Sequence, residues 1–589
     1  MCGIAGVADF ARPSSAHEPT VRRMLRALRH RGPDGEGLFA SEHVVLGHTQ
    51  LTIRPSSGQP ASSPDARFTL AYTGEIYDDG AWRARLGDRW RFATHGDTEA
   101  VLAALAIEGP RAIEALDGMF ALALWDRDSQ SLLLARDPLG VKPLFYARAG
   151  TALAFASEPR ALLEALPRRA LDVAAFVEHW ALPCLGGVDR GLFEGVVPLA
   201  PGTTLRFDRE GARVERYFRF APAREERFDE EAFAAELADA LQANMRSTCR
   251  PAGAHAPFGV LSSGGLDSTI VAAFAREAHP RLPAITLRYE SQGSFPPGAS
   301  FLTSEDDTPY AALAAQELGL HASFADVARE SLPRRIERAA RIDGCFPAFE
   351  QQISQMALFD RAAELGLRIA LVGDAADELF SGYHFLLEPA VSSTREGLFL
   401  RFGSERRLSL LRPELVRALD PLGTLARRFD ALASDAGASW SSPAEGLRAT
   451  TALIVERWLP RLLWNGDVCS MDRSIEARVP FARRALVELA QRAPPSASLA
   501  KRLLRMSCPA SVPAGIRRRA KSALPKDPLA APAYLEAARG SWSRAPSEAR
   551  ALFDPAAVEA CLAAPASDEL GRSIHFALAC LAPFLDAHG

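Results

Sequence analysis

The chain has 589 residues, 48% of them hydrophobic and 24% charged, with a formal net charge of −4. That length exceeds one hydrophobic core and calls for two or more domains; the composition is that of a soluble globular protein, and the charge balance supplies no field for nucleic acid or an anionic membrane. The eight cysteines form no C-x-x-C pair, no run is apolar for long enough to span a bilayer, and the first residues lack a signal peptide's basic and apolar segments, so a reducing cytoplasm is the expected location.

The chain opens Met1-Cys2-Gly3-Ile4-Ala5-Gly6-Val7. Removal of Met1 would leave a terminal cysteine whose α-amino group titrates near neutrality beside the thiol and can serve as its base. Taken alone, a cysteine at the head of an apolar strand is an equal reading. It is followed by Arg29-His30-Arg31-Gly32-Pro33-Asp34-Gly35, Gly47-His48, Gly74-Glu75-Ile76-Tyr77, Gly96-Asp97-Thr98-Glu99, Leu116-Asp117-Gly118-Met119-Phe120-Ala121, and a run from Ala135 to Leu144 containing Asp137-Pro138-Leu139-Gly140. Short apolar runs bounded by turns predict strands over 68–72, 121–125, 131–135 and 152–157. Asp97-Thr98-Glu99 ahead of Ala100 to Ile107 predicts the start of a capped helix.

This ordered series resembles the class II glutamine amidotransferase domain, an N-terminal-nucleophile αββα sandwich. The resemblance implies that Cys2 attacks the glutamine side-chain amide, that Glu75 and Asp97 hold the α-amino group, and that the Gly74 N–H helps stabilise the oxyanion. Two positions depart from the family. Gln50 stands where an Arg pairs with the glutamine α-carboxylate, and charge-assisted bonds are about twice as strong as the neutral bond Gln50 can offer. Thr73 stands where an Asn completes the oxyanion hole, and losing one such donor costs roughly 2.7–4 kcal/mol in a protease. A weak or vestigial glutaminase, with ammonia or another amine as donor, is therefore an alternative.

Ala200-Pro201-Gly202-Thr203-Thr204-Leu205 predicts a hairpin turn. The expected division is an amidotransferase domain over 1–215, a polar linker over 216–230 and a second domain over 231–589, entered through a helix over 233–245. Residues 260–270 read VLSSGGLDSTI. Val260 and Leu261 predict a strand end, residues 263–268 a tight turn, and residues 269–276 the start of a helix. Glycines let the backbone approach closely, its N–H groups line a cup, and a helix dipole favours negative charge there. Asp267 in such a cup calls for a bridging Mg²⁺. No Gly-Lys-Ser/Thr follows, which excludes the Walker pattern.

The string SGGLDS resembles the pyrophosphate loop of the N-type ATP pyrophosphatases, which adenylate a carboxylate or carbonyl and release pyrophosphate. By that resemblance Ser262, Ser263, Gly264, Gly265, Leu266, Asp267 and Ser268 line the phosphates, and Leu287, in a strand predicted over 284–287, faces the adenine. Residues 291–307 read as a loop over the site and 308–318 as a helix. Alternating strands and helices predict a doubly wound parallel sheet with ligands beyond the strand C-termini. The stretch from Ile369 to Tyr383 resembles the Ser-Gly-Glu-Gly-Ala-Asp-Glu-Leu-Phe-Gly-Gly-Tyr motif of asparagine synthetases. It places Val372 and Gly373 at the nucleotide, Asp377 as a second metal candidate beside Asp267, and Asp374 where a Glu is tied to the attacking amine. Ser470 to Phe481 resembles a further family string, followed by Ala482-Arg483 in place of Leu-Asp and preceded by Val468 in place of an Arg. Lys501 lies in a Lys-x-x-Leu-Arg pattern, and Lys521 matches the lysine on the reacting phosphate.

The chain is thus identified as a member of the asparagine synthetase (glutamine-hydrolysing) family over almost its whole length, with a helical C-terminal part. The resemblance implies an α/β architecture, ATP and Mg²⁺ as cofactors, and a carboxylic acid (aspartate in the parent activity) with glutamine or ammonia as substrates. A homodimer stays open. Two alternatives remain: a natural-product amide synthetase like the β-lactam synthetases, and a non-catalytic nucleotide-binding relative.

Overall fold

The computed structural model describes residues 2–54, 58–185, 189–224, 227–250, 256–291, 306–347, 349–527 and 529–589. In the N-terminal part, β1 (Gly3–Ala8), β2 (Gly35–Ala40), β3 (Val44–Gln50), β8 (Phe145–Ala149), β9 (Ala152–Ala156) and β10 (Val196–Pro198) form one sheet in the order β10-β8-β9-β1-β3-β2. A second sheet, in the order β12-β11-β7-β6-β5-β4, contains β4 (Ala61–Ser62), β5 (Phe68–Ile76), β6 (Gly118–Asp126), β7 (Ser131–Arg136), β11 (Thr203–Asp208) and β12 (Gly211–Arg216). Neighbouring strands in both sheets are antiparallel.

Period-two packing explains the layers. Phe120, Leu122 and Leu124 of β6 face α2 (Asp97–Glu108), whereas Ala121, Ala123 and Trp125 face the other sheet. On the far side, α1 (Glu18–Ala27) sets Val21, Met24 and Leu25 against Ala5, Val7 and Val45. The result is helix, sheet, sheet, helix. Strands buried on both faces read as continuous apolar runs, which is why these were visible in the sequence.

Two local expectations change. Residues 200–202 turn the chain into β11, with Gly202 at φ +62°, but the hairpin itself closes between Asp208 and Gly211. Helix α2 begins at Asp97 as expected, but Gly96 caps it, and the Asp97 side chain turns to Tyr72 and the Ile76 N–H instead.

After β12, α3 (Glu230–Thr248) is capped by Asp229, whose carboxylate accepts from the Ala232 N–H. It leads into a five-stranded parallel sheet of β13 (Phe258–Leu261), β14 (Pro283–Tyr289), β15 (His321–Val327), β16 (Ile369–Leu371) and β17 (Glu476–Arg478). Their order, β15-β14-β13-β16-β17, reverses direction between β13 and β16. Helices α3 and α4 (Leu266–Ala278) cover one face, and α6 (Gln351–Glu364) with α8 (Glu569–His588) lies in the core on the other. Between them, α5 (Thr308–Leu318) follows β14 and α7 (Leu459–Met471) precedes β17.

The predicted turn over 263–268 is shorter than expected. Helix α4 starts at Leu266, so Asp267 and Ser268 sit in its first turn. Most of the loop expected over 291–307 lies outside the described residues. No helix among the described residues is long and apolar enough to cross a membrane, and the eight cysteines are free.

Candidate active sites

Cys2 heads β1 and is partly buried. Its N–H donates to Thr73 Oγ1 at 3.3 Å, and the Thr73 hydroxyl donates to the Cys2 carbonyl at 2.8 Å. Thr73 therefore spends its one proton on the chain's own backbone rather than aiming it at a bound amide. Burial pushes the Cys2 thiol up. Beyond Thr73 the chain packs Gly74 against β6, where a Cβ would lie 2.2 Å from the Met119 carbonyl oxygen, so only glycine fits. Glu75 then points inward, with Arg54 Nη2 at 2.6 Å and Arg478 Nη2 at 3.7 Å. Burial lifts Glu75 to about 8 against the pull of Arg478. Asp97 accepts from the Tyr72 hydroxyl at 2.8 Å and the Ile76 N–H at 3.1 Å, and burial raises it as well. Gln50 closes β3, and its carbonyl accepts from the Asp34 N–H.

The second site forms where the parallel sheet reverses strand order, which is where open α/β sheets bind ligands. Leaving β13, Ser262 donates its N–H to the Ile285 carbonyl and accepts at its own carbonyl from Thr286 Oγ1. Gly264 adopts φ +64°, and a Cβ there would lie 2.3 Å from Ala311 N of α5. Gly265 donates its N–H to Ser263 Oγ, and the Ser263 N–H donates to Ser268 Oγ, which leaves the loop as a cup at the N-terminus of α4. The loop after β16 brings Val372, Gly373 and Asp374 alongside, and Gly373 stands where a Cβ would be 3.0 Å from Ser268 N.

Carboxylates and ammoniums interleave here. Lys501 Nζ contacts Asp267 and lies 2.6 Å from Asp377 Oδ1, and Lys521 Nζ lies 2.5 Å from Asp377 Oδ2. Burial opposes ionisation of Asp377, but the two ammoniums hold it below the usual carboxylate range. Asp374 makes no ion-pair contact among the described residues, and burial lifts it to about 6 against the more distant pull of Lys521. Ala500 and Lys501 both sit in the left-handed region, at φ +54° and +59°, a conformation that costs non-glycine residues roughly 1–3 kcal/mol each. The Lys501 ammonium is held between the two carboxylates, contacts that offset such strain. Asp267 Oδ1 is buried without a hydrogen-bond partner, and two carboxylates beside a phosphate-shaped cup match the oxygen donors Mg²⁺ prefers.

A cavity of about 480 Å³ joins these groups. Leu287, Val372, Gly373, Asp374 and Lys521 line one part, and Val141 and Lys142 of the N-terminal part line another. Between the two sites, Arg31 Nη1 reaches Glu158 at 2.9 Å and Asp467 of α7 at 2.7 Å, with Lys142 Nζ 3.6 Å from Asp467. Arg478 reaches Glu75 from β17. Arg483, which departs from the family string, pairs with Asp117 at 2.5 Å and lies over the Tyr77 ring.

Several participants had no signal of their own in the sequence. Arg54 lies four residues after Gln50, and Arg519, two residues before Lys521, donates to the Ser263 carbonyl and pairs with Asp307. Only their adjacency to quoted motifs could have drawn attention to them.

A family model for a glutamine amidotransferase domain matches residues 1–218, and one for asparagine synthase matches residues 233–580. The chain belongs to the asparagine synthetase family. As a member it is a glutamine-dependent carbon–nitrogen ligase that forms an amide driven by ATP. Among asparagine synthetase relatives, asparagine synthetase [glutamine-hydrolyzing] 3 of Bacillus subtilis is 28% identical, covering 89% of this chain and 87% of that protein. A putative asparagine synthetase [glutamine-hydrolyzing] of Mycobacterium bovis is 30% identical over the same shares. A protein named amidase chry2, of Gibberella zeae, is 25% identical, covering 84% of this chain and 83% of its own length.

Proposed function

We propose that the chain adenylates a carboxylic acid with Mg-ATP and converts it to an amide with ammonia taken from glutamine at Cys2. The observation that carries this reading is the cavity that runs from the Ser263–Ser268 cup past Asp374 to Lys142. In the proposed reaction a carboxylate oxygen of the acid attacks the α-phosphorus, and pyrophosphate leaves. The loop N–H groups and Lys521 face the charge that builds on the phosphates, Lys501 and Arg519 hold the cup's walls, and Leu287, Val372 and Gly373 border the adenine. Asp267 and Asp377 would hold Mg²⁺, whose charge offsets that of the phosphates when bound. Ammonia then attacks the acyl carbon, AMP leaves, and Asp374 accepts the proton that ammonia sheds. In the other site the Cys2 thiol attacks the glutamine side-chain amide, the C–N bond breaks and ammonia leaves with the thiol's proton, and water then hydrolyses the thioester to glutamate and the free thiol; Glu75 and Asp97 hold the α-ammonium, and the Gly74 N–H faces the oxyanion. Eight free thiols fit a reducing compartment, and the cytoplasm is the proposed location.

Aspartate is the acid of the parent activity. A different acid, as in a tailoring amide synthetase, is favoured by one feature. Next to Asp374, whose Oδ2 would lie 3.7 Å from a Cβ at Gly466, the lining includes Leu462, Leu459, Trp458, Phe349 and Phe359 and the neutral pair Asn465–Gln355, and the charged Arg461 and Asp467 of that lining are already paired with Asp343 and Arg31 respectively. Such a wall suits an acid with an apolar body better than one with two further charges.

The test is pyrophosphate release from Mg-ATP, with aspartate set against acids bearing apolar bodies and glutamine against ammonium. Release with any acid that disappears in Asp267→Asn supports the adenylation site. Product from glutamine that survives Cys2→Ala overturns the glutaminase assignment, and no release with any acid leaves a nucleotide-binding relative without catalysis.

A further inference from the structure

The seat for the glutamine α-ammonium is filled from within the chain. Arg54 Nη2 lies 2.6 Å from Glu75 Oε1, and its Nη1 lies 3.8 Å from Asp79. Yet Glu75 Oε1, buried, accepts no well-formed hydrogen bond, so this acceptor can still take an ammonium donor. The Arg54 side chain is 30% exposed while that of Glu75 is 4% exposed, so solvent reaches the guanidinium side of the pair, and the buried carboxylate keeps a charge partner only if another cation takes the guanidinium's place. Four residues earlier stands Gln50, a neutral side chain at the place that should meet the α-carboxylate.

We propose that Arg54 is the specificity-determining residue of the glutamine pocket. On binding, the substrate α-ammonium replaces the guanidinium at Glu75, and the released Arg54 pairs with the α-carboxylate that Gln50 cannot neutralise. Glu75 then faces a cation whether the pocket is empty or full, and the guanidinium moves from one carboxylate to another. The ligand class selected is an amino-acid amide with both α-ammonium and α-carboxylate free. The inference rests on Cys2 being the glutaminase nucleophile.

The experiment measures ammonia release from L-glutamine and from L-glutamine α-amide by the full-length wild type, Arg54→Ala, Arg54→Lys and Cys2→Ala. Arg54→Ala is expected to raise KM for L-glutamine about 10- to 100-fold, the worth of one charge-assisted contact, with little change in kcat. It should leave KM for the α-amide in place, and Arg54→Lys should recover part of the loss. A lower KM in Arg54→Ala would make Arg54 only a plug, and an unchanged KM, or one raised equally for both substrates, would also overturn the inference. Release that survives Cys2→Ala, or none from the wild type, instead sinks the glutaminase reading and takes the inference with it. A single cooperative unfolding transition in both Arg54 variants, with a midpoint above the assay temperature, separates these outcomes from misfolding.

Discussion

Asp374 shows how one side chain's surroundings set its chemistry. Buried at the end of β16, with Asp377 and Asp267 nearby and Lys521 pulling the other way, its carboxyl is lifted to about 6. As the proposed proton acceptor it works only when ionised, hence above that value. Amide formation with ammonium should therefore fall about tenfold per pH unit below 6, after correction for the free-ammonia fraction. Asp374→Asn should lower the rate and flatten that limb; a limb that persists unchanged in the variant would assign the titration to another group. Residues of this kind were legible because they cluster in motifs: Cys2, Glu75, Asp97, Asp267, Asp377 and Lys521 each stand in a quoted string, and the fold gathers them into two groups. Arg54, Arg519 and the pairing of Arg483 were not, because a guanidinium leaves no local spacing to read when its partner lies on a separate strand, as Glu75 does for Arg54, or hundreds of residues away, as Asp307 does for Arg519 and Asp117 for Arg483. Arg483 carried only the mark of a departure, and the structure explains it as a link from the synthetase part to Asp117.

At the scale of elements, the phosphate cup depends on how closely its loop meets α5. Gly264 is left-handed and lies where a Cβ would overlap Ala311 N. Gly264→Ala should therefore destabilise the chain by about 1–3 kcal/mol and weaken Mg-ATP binding, which calorimetry and a denaturant titration would measure together. Normal ATP affinity in that variant would mean the cup does not need the contact. The strands and α5 were readable because apolar runs and a Thr-Pro helix start are local signals. The extent of the turn before α4 was not, because a Ser-Gly-Gly-Leu-Asp-Ser string suits loop and helix start alike, and pairing with β14 and β16 decides where the loop ends.

For the whole molecule, the join between its two parts is both apolar and ionic. Phe145 meets Trp464 edge-on at 5.1 Å, and Phe584 of α8 stacks on Phe193 at 5.9 Å. In the same interior Asp467 faces both Arg31 and Lys142, each fully buried. Removing one partner of a buried ionic group leaves the other charge uncompensated, at a cost of about 3–5 kcal/mol. Asp467→Asn should show that loss in chemical denaturation, and should weaken glutamine-dependent product formation more than ammonium-dependent formation. Equal stability would mean that water already solvates the cluster.

The reach of Arg478 from β17 to Glu75 has a consequence for anyone who would recombine such enzymes. One side chain of the parallel sheet helps set the charge of a pocket that belongs, by sequence, to the other half. A graft that joins this N-terminal part to a relative's synthetase part would carry Cys2, Glu75 and Asp97 intact and still arrive with an altered pocket. The unit of exchange is the pair of halves together with the residues that lock them.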